Sequence, residues 1–138
     1  MPGDTARRTE SIELDGSAGV VKARQLVRSL AQEAGLSLVD QTKLVTAASE
    51  LARNTVVYGG GGRMEAEAAW SNGRSGVRLL FADEGPGIPD VELALTDGWT
   101  TGGGMGLGLS GARRLADEFD LDTGEGRGTR VTIVKWAR

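Results

Sequence analysis

Glu50-Leu51-Ala52-Arg53-Asn54 places an acid and an amide four residues apart inside a stretch with helical periodicity. Four residues advance a helix by about 40° beyond a full turn, so the two side chains share one side of it. They sit at the edge of the stripe Leu44, Ala47, Ala48, Leu51 and Thr55, where a helix meets a cleft. Taken alone the pair reads better as two solvated helix residues, since the pattern is short and common. Working outward, Asp83-Glu84-Gly85-Pro86-Gly87 ends an apolar run in an acid followed by two glycines. Further on, Gly102-Gly103-Gly104-Met105-Gly106-Leu107-Gly108-Leu109 leads into a new helix. An acidic helix edge, an acidic strand end and a glycine-dense loop, in that order, suit a magnesium nucleotide. The order carries more than any one part.

Each part has its chemistry. Mg²⁺ takes oxygen ligands and keeps phosphates and waters beside one or two protein groups, a role open to the Asn54 amide oxygen. Glu50 could accept a proton from a hydroxyl or water near a γ-phosphate. The Asp83 carboxylate is acceptor-only when ionised and suits an exocyclic amine better than a carbonyl. Gly85 and Gly87 permit a tight turn and close approach of backbone to a base. In the glycine segment, Gly106-Leu107-Gly108-Leu109-Ser110-Gly111 fits the dinucleotide fingerprint letter for letter. That fingerprint needs a strand just before it and an acid about 20 residues later. Here Trp99 to Gly104 precedes it and Val131 stands at the later position. The dinucleotide reading fails, and no P-loop motif exists. A lid whose backbone N–H groups bind phosphate remains.

The ordered trio resembles the N box, the DxGxG box and the second glycine box of the GHKL ATP-binding family: gyrase B, Hsp90, histidine kinases and MutL. Within it the chain is similar to the small anti-sigma-factor serine/threonine kinases, most of all the RsbT-type switch kinases. Ser49 to Asn54, Asp83 to Asp90, Thr101-Gly102-Gly103 and the tail Val134-Lys135-Trp136 carry that likeness, which covers Ile12 to Trp136. The resemblance implies the GHKL (Bergerat) fold, ATP and Mg²⁺ as cofactors, Glu50 as catalytic base and Asn54 as metal ligand. It implies adenine contacts from Asp83 and from Thr129, the latter in a terminal Gly-Thr element. It further implies nucleotide contacts from Asn54, Gly85, Gly87, Gly102, Gly103, Gly104, Met105, Gly106, Leu107 and Gly108. Arg53, Arg113 and Arg114 are weaker candidates for phosphate or a partner.

Composition narrows the activity. The 138 residues make one domain, 1–138, with no cysteine and no histidine. Disulfides, thiolate zinc and phosphohistidine chemistry on this chain are excluded. A net charge of -3 argues against nucleic acid. Met1 to Ile12 lacks a signal-peptide core, and no apolar run approaches the roughly 20 residues of a membrane span. A cytoplasmic protein is expected. No companion histidine helix or large appended domain accompanies the nucleotide motifs, and Tyr58 stands where many family members carry histidine. The resemblance then implies a protein serine/threonine kinase acting on a STAS-domain antagonist, with a PP2C-type phosphatase or a sigma factor downstream, in a stress-response partner-switching pathway. The alternative is an ATP-gated binding module that clamps such a partner and transfers nothing. A detached histidine-kinase domain acting on a separate chain is a third reading.

The pattern predicts α+β architecture: a two-layer sandwich, with a mixed, mostly antiparallel sheet of about five strands and three helices on one face. Strands are expected at Thr9 to Leu14, Met64 to Trp70, Val77 to Ala82, near Leu121, and at Arg130 to Trp136. Helices are expected at Ser17 to Ala34, from Ser37 or Asp40 to Tyr58, and at Leu109 to Phe119, with one helical turn after Pro89.

Overall fold

The computed structural model describes residues 9–88, 95, 108–124 and 126–138. The chain opens with β1 (Thr9–Leu14), α1 (Ser17–Ala34) and α2 (Leu38–Val57). It continues through β2 (Gly62–Ser71), β3 (Arg74–Asp83), α3 (Gly108–Leu115), β4 (Glu118–Gly124) and β5 (Gly128–Trp136). The strands form one sheet in the order β1-β2-β3-β5-β4.

Local chemistry sets the element ends. Gly35, at φ 84°, closes α1. Its N–H donates to Gln32 O at 3.1 Å and Leu36 N–H donates to Ala31 O at 3.0 Å, the paired bonds of a Schellman stop. Two residues later Ser37 caps α2 by accepting Asp40 N–H at 3.1 Å. The turn between β2 and β3 is Asn72-Gly73, with φ of 53° and 77°. Two positive values in a two-residue loop match the twist of the flanking strands and set the register Ser71 to Arg74.

The three described helices pack against one face of the sheet. Ala23, Val27 and Ala31 of α1, Leu44, Ala48 and Leu51 of α2, and Leu109 and Ala112 of α3 share one core with Met64, Leu79, Phe81 and Ile133. Alternate residues of β3, Val77, Leu79 and Phe81, are buried in it while Arg78 is exposed. Val21 of α1 is 47% exposed. It stands about 200° around the helix from Ala23, on the solvent side.

Two expectations need correction. Every strand pairing among the described residues is antiparallel, so the sheet is not mixed. The helix expected from Leu109 to Phe119 stops at Leu115, and Phe119 instead pairs with Ile133 in β4. Asp117 brings this about: its N–H donates to Val134 O at 2.9 Å and its carboxylate accepts Trp136 N–H at 2.8 Å. The sheet captures the chain before another helical turn can form. The turn expected after Pro89 lies outside the described residues.

Candidate nucleotide site

The C-terminal half of α2, the end of β3 and the start of β5 converge on one cleft. From α2 it is lined by Leu51, Asn54, Thr55 and Tyr58, and from the sheet by Asp83, Thr129 and Val131. Ile88 and Leu109 complete it, and its open space is about 350 Å³. Its wall is apolar with a few directed polar groups, the make-up of small-ligand sites.

Register explains the position of Asp83. It ends the central strand, opposite Gly62 on one side and Thr129 on the other. Burial raises its carboxyl above the ordinary value, and backbone N–H groups of Gly85 and Thr129 pull it part of the way back. The Gly85 bond to Asp83 Oδ1 is 2.8 Å long. Gly85 also has a structural reason that the spacing did not show. A Cβ there would stand 2.7 Å from Gly59 O and 2.8 Å from Gly59 Cα, so the turn after β3 packs backbone against backbone on the end of α2. Gly87, at φ 81°, needs glycine for its conformation.

The turn after β3 is then tied down from three directions. The Tyr58 hydroxyl donates to Gly87 O at 2.9 Å. Gly126 N–H donates to Pro86 O at 2.8 Å, and Ile88 N–H donates to Thr123 Oγ1 at 2.9 Å. Thr129 is 8% exposed, with its hydroxyl 2.9 Å from that of Thr123.

Glu50 lies one turn back from Asn54, outside the cleft lining. Its Oε1 accepts Gly108 N–H at 3.4 Å, a long bond that brings the acid against the start of α3. The structure therefore gathers Glu50, Asn54, Asp83, Gly85, Gly87, Gly108 and Thr129 around one end of α2. Gly102, Gly103, Gly104, Met105, Gly106 and Leu107, and with them the lid, lie outside the described residues. Arg113 and Arg114 occupy the last turn of α3 and are exposed, at the opposite end from Gly108; Arg53 is exposed as well. Sequence reasoning passed over Ile88 and Thr123 and saw Tyr58 only as a departure from histidine. Tyr58 carried a usable signal, being one helical turn beyond Asn54 on the same side.

Among the described residues no group of three or more acids could hold a metal alone. A single amide oxygen from Asn54 fits Mg²⁺ only where phosphates and waters supply the other ligands, which is the arrangement a nucleotide brings.

Comparison with known proteins gives the same class. Residues 39–137 match the family described as histidine kinase-, DNA gyrase B- and HSP90-like ATPase, and the chain belongs to that family. Its relatives include the serine/threonine-protein kinase RsbT of Bacillus subtilis (strain 168), 45% identical over 119 residues, covering 86% of this chain and 90% of that protein. An anti-sigma F factor of Clostridium novyi (strain NT) is 25% identical over 118 residues, covering 82% of each chain. In fold, the chain resembles the RsbU and RsbW domains of Rv1364c from Mycobacterium tuberculosis, with a TM-score of 0.63 and 23% identity over 95% of this chain and 33% of that one. The mycobacterial sensor histidine kinase MprB shares the fold at a TM-score of 0.57 and 19% identity, over 95% of this chain and 99% of that one.

Proposed function

We propose that this chain is a single kinase domain, residues 1–138, that transfers the γ-phosphoryl group of ATP to a serine of a STAS-domain antagonist. It thereby acts as a switch in a stress-response partner-switching pathway, with a PP2C-type phosphatase or a sigma factor downstream. The observation that carries this reading is the convergence of Asn54, Asp83 and Thr129 on one cleft at the end of α2, with Glu50 one helical turn back from Asn54 and against the start of α3. The 45% identity to a serine/threonine kinase over most of both chains supports it.

Asp83 and Thr129 hold the base. Asn54 would supply an oxygen to Mg²⁺, and the ion, when bound, would neutralise phosphate charge. Glu50 takes the proton from the serine hydroxyl as its oxygen bonds to the γ-phosphorus, and ADP departs. The protein's share is mostly positioning. The Glu50 contact with Gly108 N–H favours a second reading. The same acid can serve as a tie to α3, and the chain would then be an ATP-gated clamp. Assaying phosphate transfer and ATP-dependent binding side by side, with one STAS-domain partner, separates the two. Binding with no transfer in the wild type selects the clamp.

A further inference from the structure

The end of β4 carries a hydroxyl that the reading above leaves without a role. Thr123 Oγ1 lies 2.9 Å from Ile88 N, 3.0 Å from Gly128 O and 2.9 Å from Thr129 Oγ1. A threonine hydroxyl has one proton and two lone pairs. The Ile88 N–H can only donate, so it occupies one lone pair. The Gly128 carbonyl can only accept, so it takes the proton. One lone pair remains, and the Thr129 hydroxyl fills it by donating its own proton. Thr129 lines the cleft, and its Oγ1 is then left with lone pairs alone to offer a ligand. Asp83, across the register from it, is also an acceptor.

We propose that Thr123 is a positioning residue for base selection: it anchors Ile88 in the wall of the cleft and fixes the hydroxyl polarity of Thr129. Toward a base, the Asp83 and Thr129 side chains then accept hydrogen bonds and give none. A purine with an amino group at C6 meets them as donor to acceptor, while one with a carbonyl there faces lone pair against lone pair. Freed from Thr123, the Thr129 hydroxyl could turn and donate, and the wall would lose its preference. The proposal rests on the adenine-nucleotide reading and adds to it a residue that never touches the base.

The test uses Thr123→Val, which keeps the shape and removes the hydroxyl, and Thr123→Ser, which restores it. Calorimetry would compare ATP with inosine triphosphate, which carries a carbonyl at C6. Wild type and Thr123→Ser should prefer ATP. In Thr123→Val the ATP-to-ITP affinity ratio should narrow by roughly tenfold, the scale of one buried hydrogen bond left unmade. A purely structural role would lower the melting temperature and leave the ratio unchanged, and that result overturns the proposal. So does a wild type that binds both triphosphates equally. If valine prevents folding, Thr123→Ala carries the same prediction. If the wild type binds neither triphosphate, the nucleotide reading and the selection of a base fall together. The anchoring half is then decided by amide exchange at Ile88 in the ligand-free protein. Protection should drop in Thr123→Val and return in Thr123→Ser; equal protection in all three contradicts it.

Discussion

Burial raises the Asp83 carboxyl above its ordinary value of 3.8 despite the opposing N–H groups of Gly85 and Thr129. A raised folded-state value means that this group favours folding fully below the unfolded value. The benefit is lost as pH rises through the folded one. At neutral pH the ligand-free protein therefore holds an ionised group that its surroundings disfavour, which a bound amine would relieve. Asp83→Asn should melt at the same or a higher temperature at pH 7, with the difference vanishing below about pH 4, while losing its preference for adenine over guanine nucleotides. Calorimetry with ATP and GTP, alongside thermal melts, checks both halves. Unchanged nucleotide preference would remove Asp83 from the base site. On α2, Glu50→Ala should keep Mg-ATP binding and lose transfer by roughly 10²–10⁴-fold, whereas Asn54→Ala should weaken Mg-ATP binding itself. Indistinguishable phenotypes in a paired binding and transfer assay would contradict the division of roles.

Between elements, the close approaches at the end of β3 set the shape of the site. Gly128, at φ 79°, has space for no side chain, because a Cβ would stand 2.2 Å from Asp83 O. Gly128→Ala should destabilise the fold by about 1–3 kcal/mol for the backbone conformation alone, and urea denaturation would measure it. A loss below about 0.5 kcal/mol, the range of an unremarkable surface change, would mean that the β3 end yields easily. This is also where legibility in the sequence divides. Helical periodicity disclosed α1 and α2, and the stripe Leu44, Ala47, Ala48, Leu51 and Thr55 is buried as its spacing implied. The strands expected at Met64 to Trp70 and Val77 to Ala82 lie within β2 and β3. The end of α3 was not legible, because the bonds that stop it come from Val134 and Trp136. The same holds at the site. Glu50, Asn54 and Asp83 stood out as local motifs, whereas Thr123 and Ile88 acquire meaning only once β4 is laid beside the turn after β3. The glycine lid was read from sequence, and its residues lie outside those described here.

Across the whole molecule, the far end of the sheet is fastened by charge. Lys135, its side chain 6% exposed, lies 3.8 Å from Asp40 and 3.6 Å from Asp117, and its Nζ donates to Leu115 O at 3.0 Å. Arg138 pairs with the same two acids. The cluster joins the start of α2, the last turn of α3 and β5, so both ends of α3 are held, Gly108 by Glu50 and Leu115 by Lys135. Burial pushes the Asp117 carboxyl up, but the Trp136 N–H, Lys135 and Arg138 together bring it below its ordinary value of 3.8. Stability from this group is present above that value and is lost as pH falls through the lowered one. Lys135→Met, which removes one of the two cations paired with both acids, should cost about 3 kcal/mol. It should also shift the acid limb of the stability curve, read by urea melts from pH 7 down to pH 3. A neutral effect would mean that Arg138 suffices for the cluster. No described helix is long and apolar enough to cross a membrane.

On the proposed reading, the cleft at the end of α2 binds ATP for transfer of its γ-phosphate to a serine, with Glu50 as the base. The most direct measurement incubates the protein with γ-labelled ATP, Mg²⁺ and a STAS-domain antagonist, comparing wild type with Glu50→Ala. Label should appear on a serine of the antagonist with wild type and fall by at least about a hundredfold with Glu50→Ala, while both proteins bind ATP alike. Equal transfer by the two proteins, or ATP-dependent capture of the antagonist with no label transferred by wild type, would contradict it.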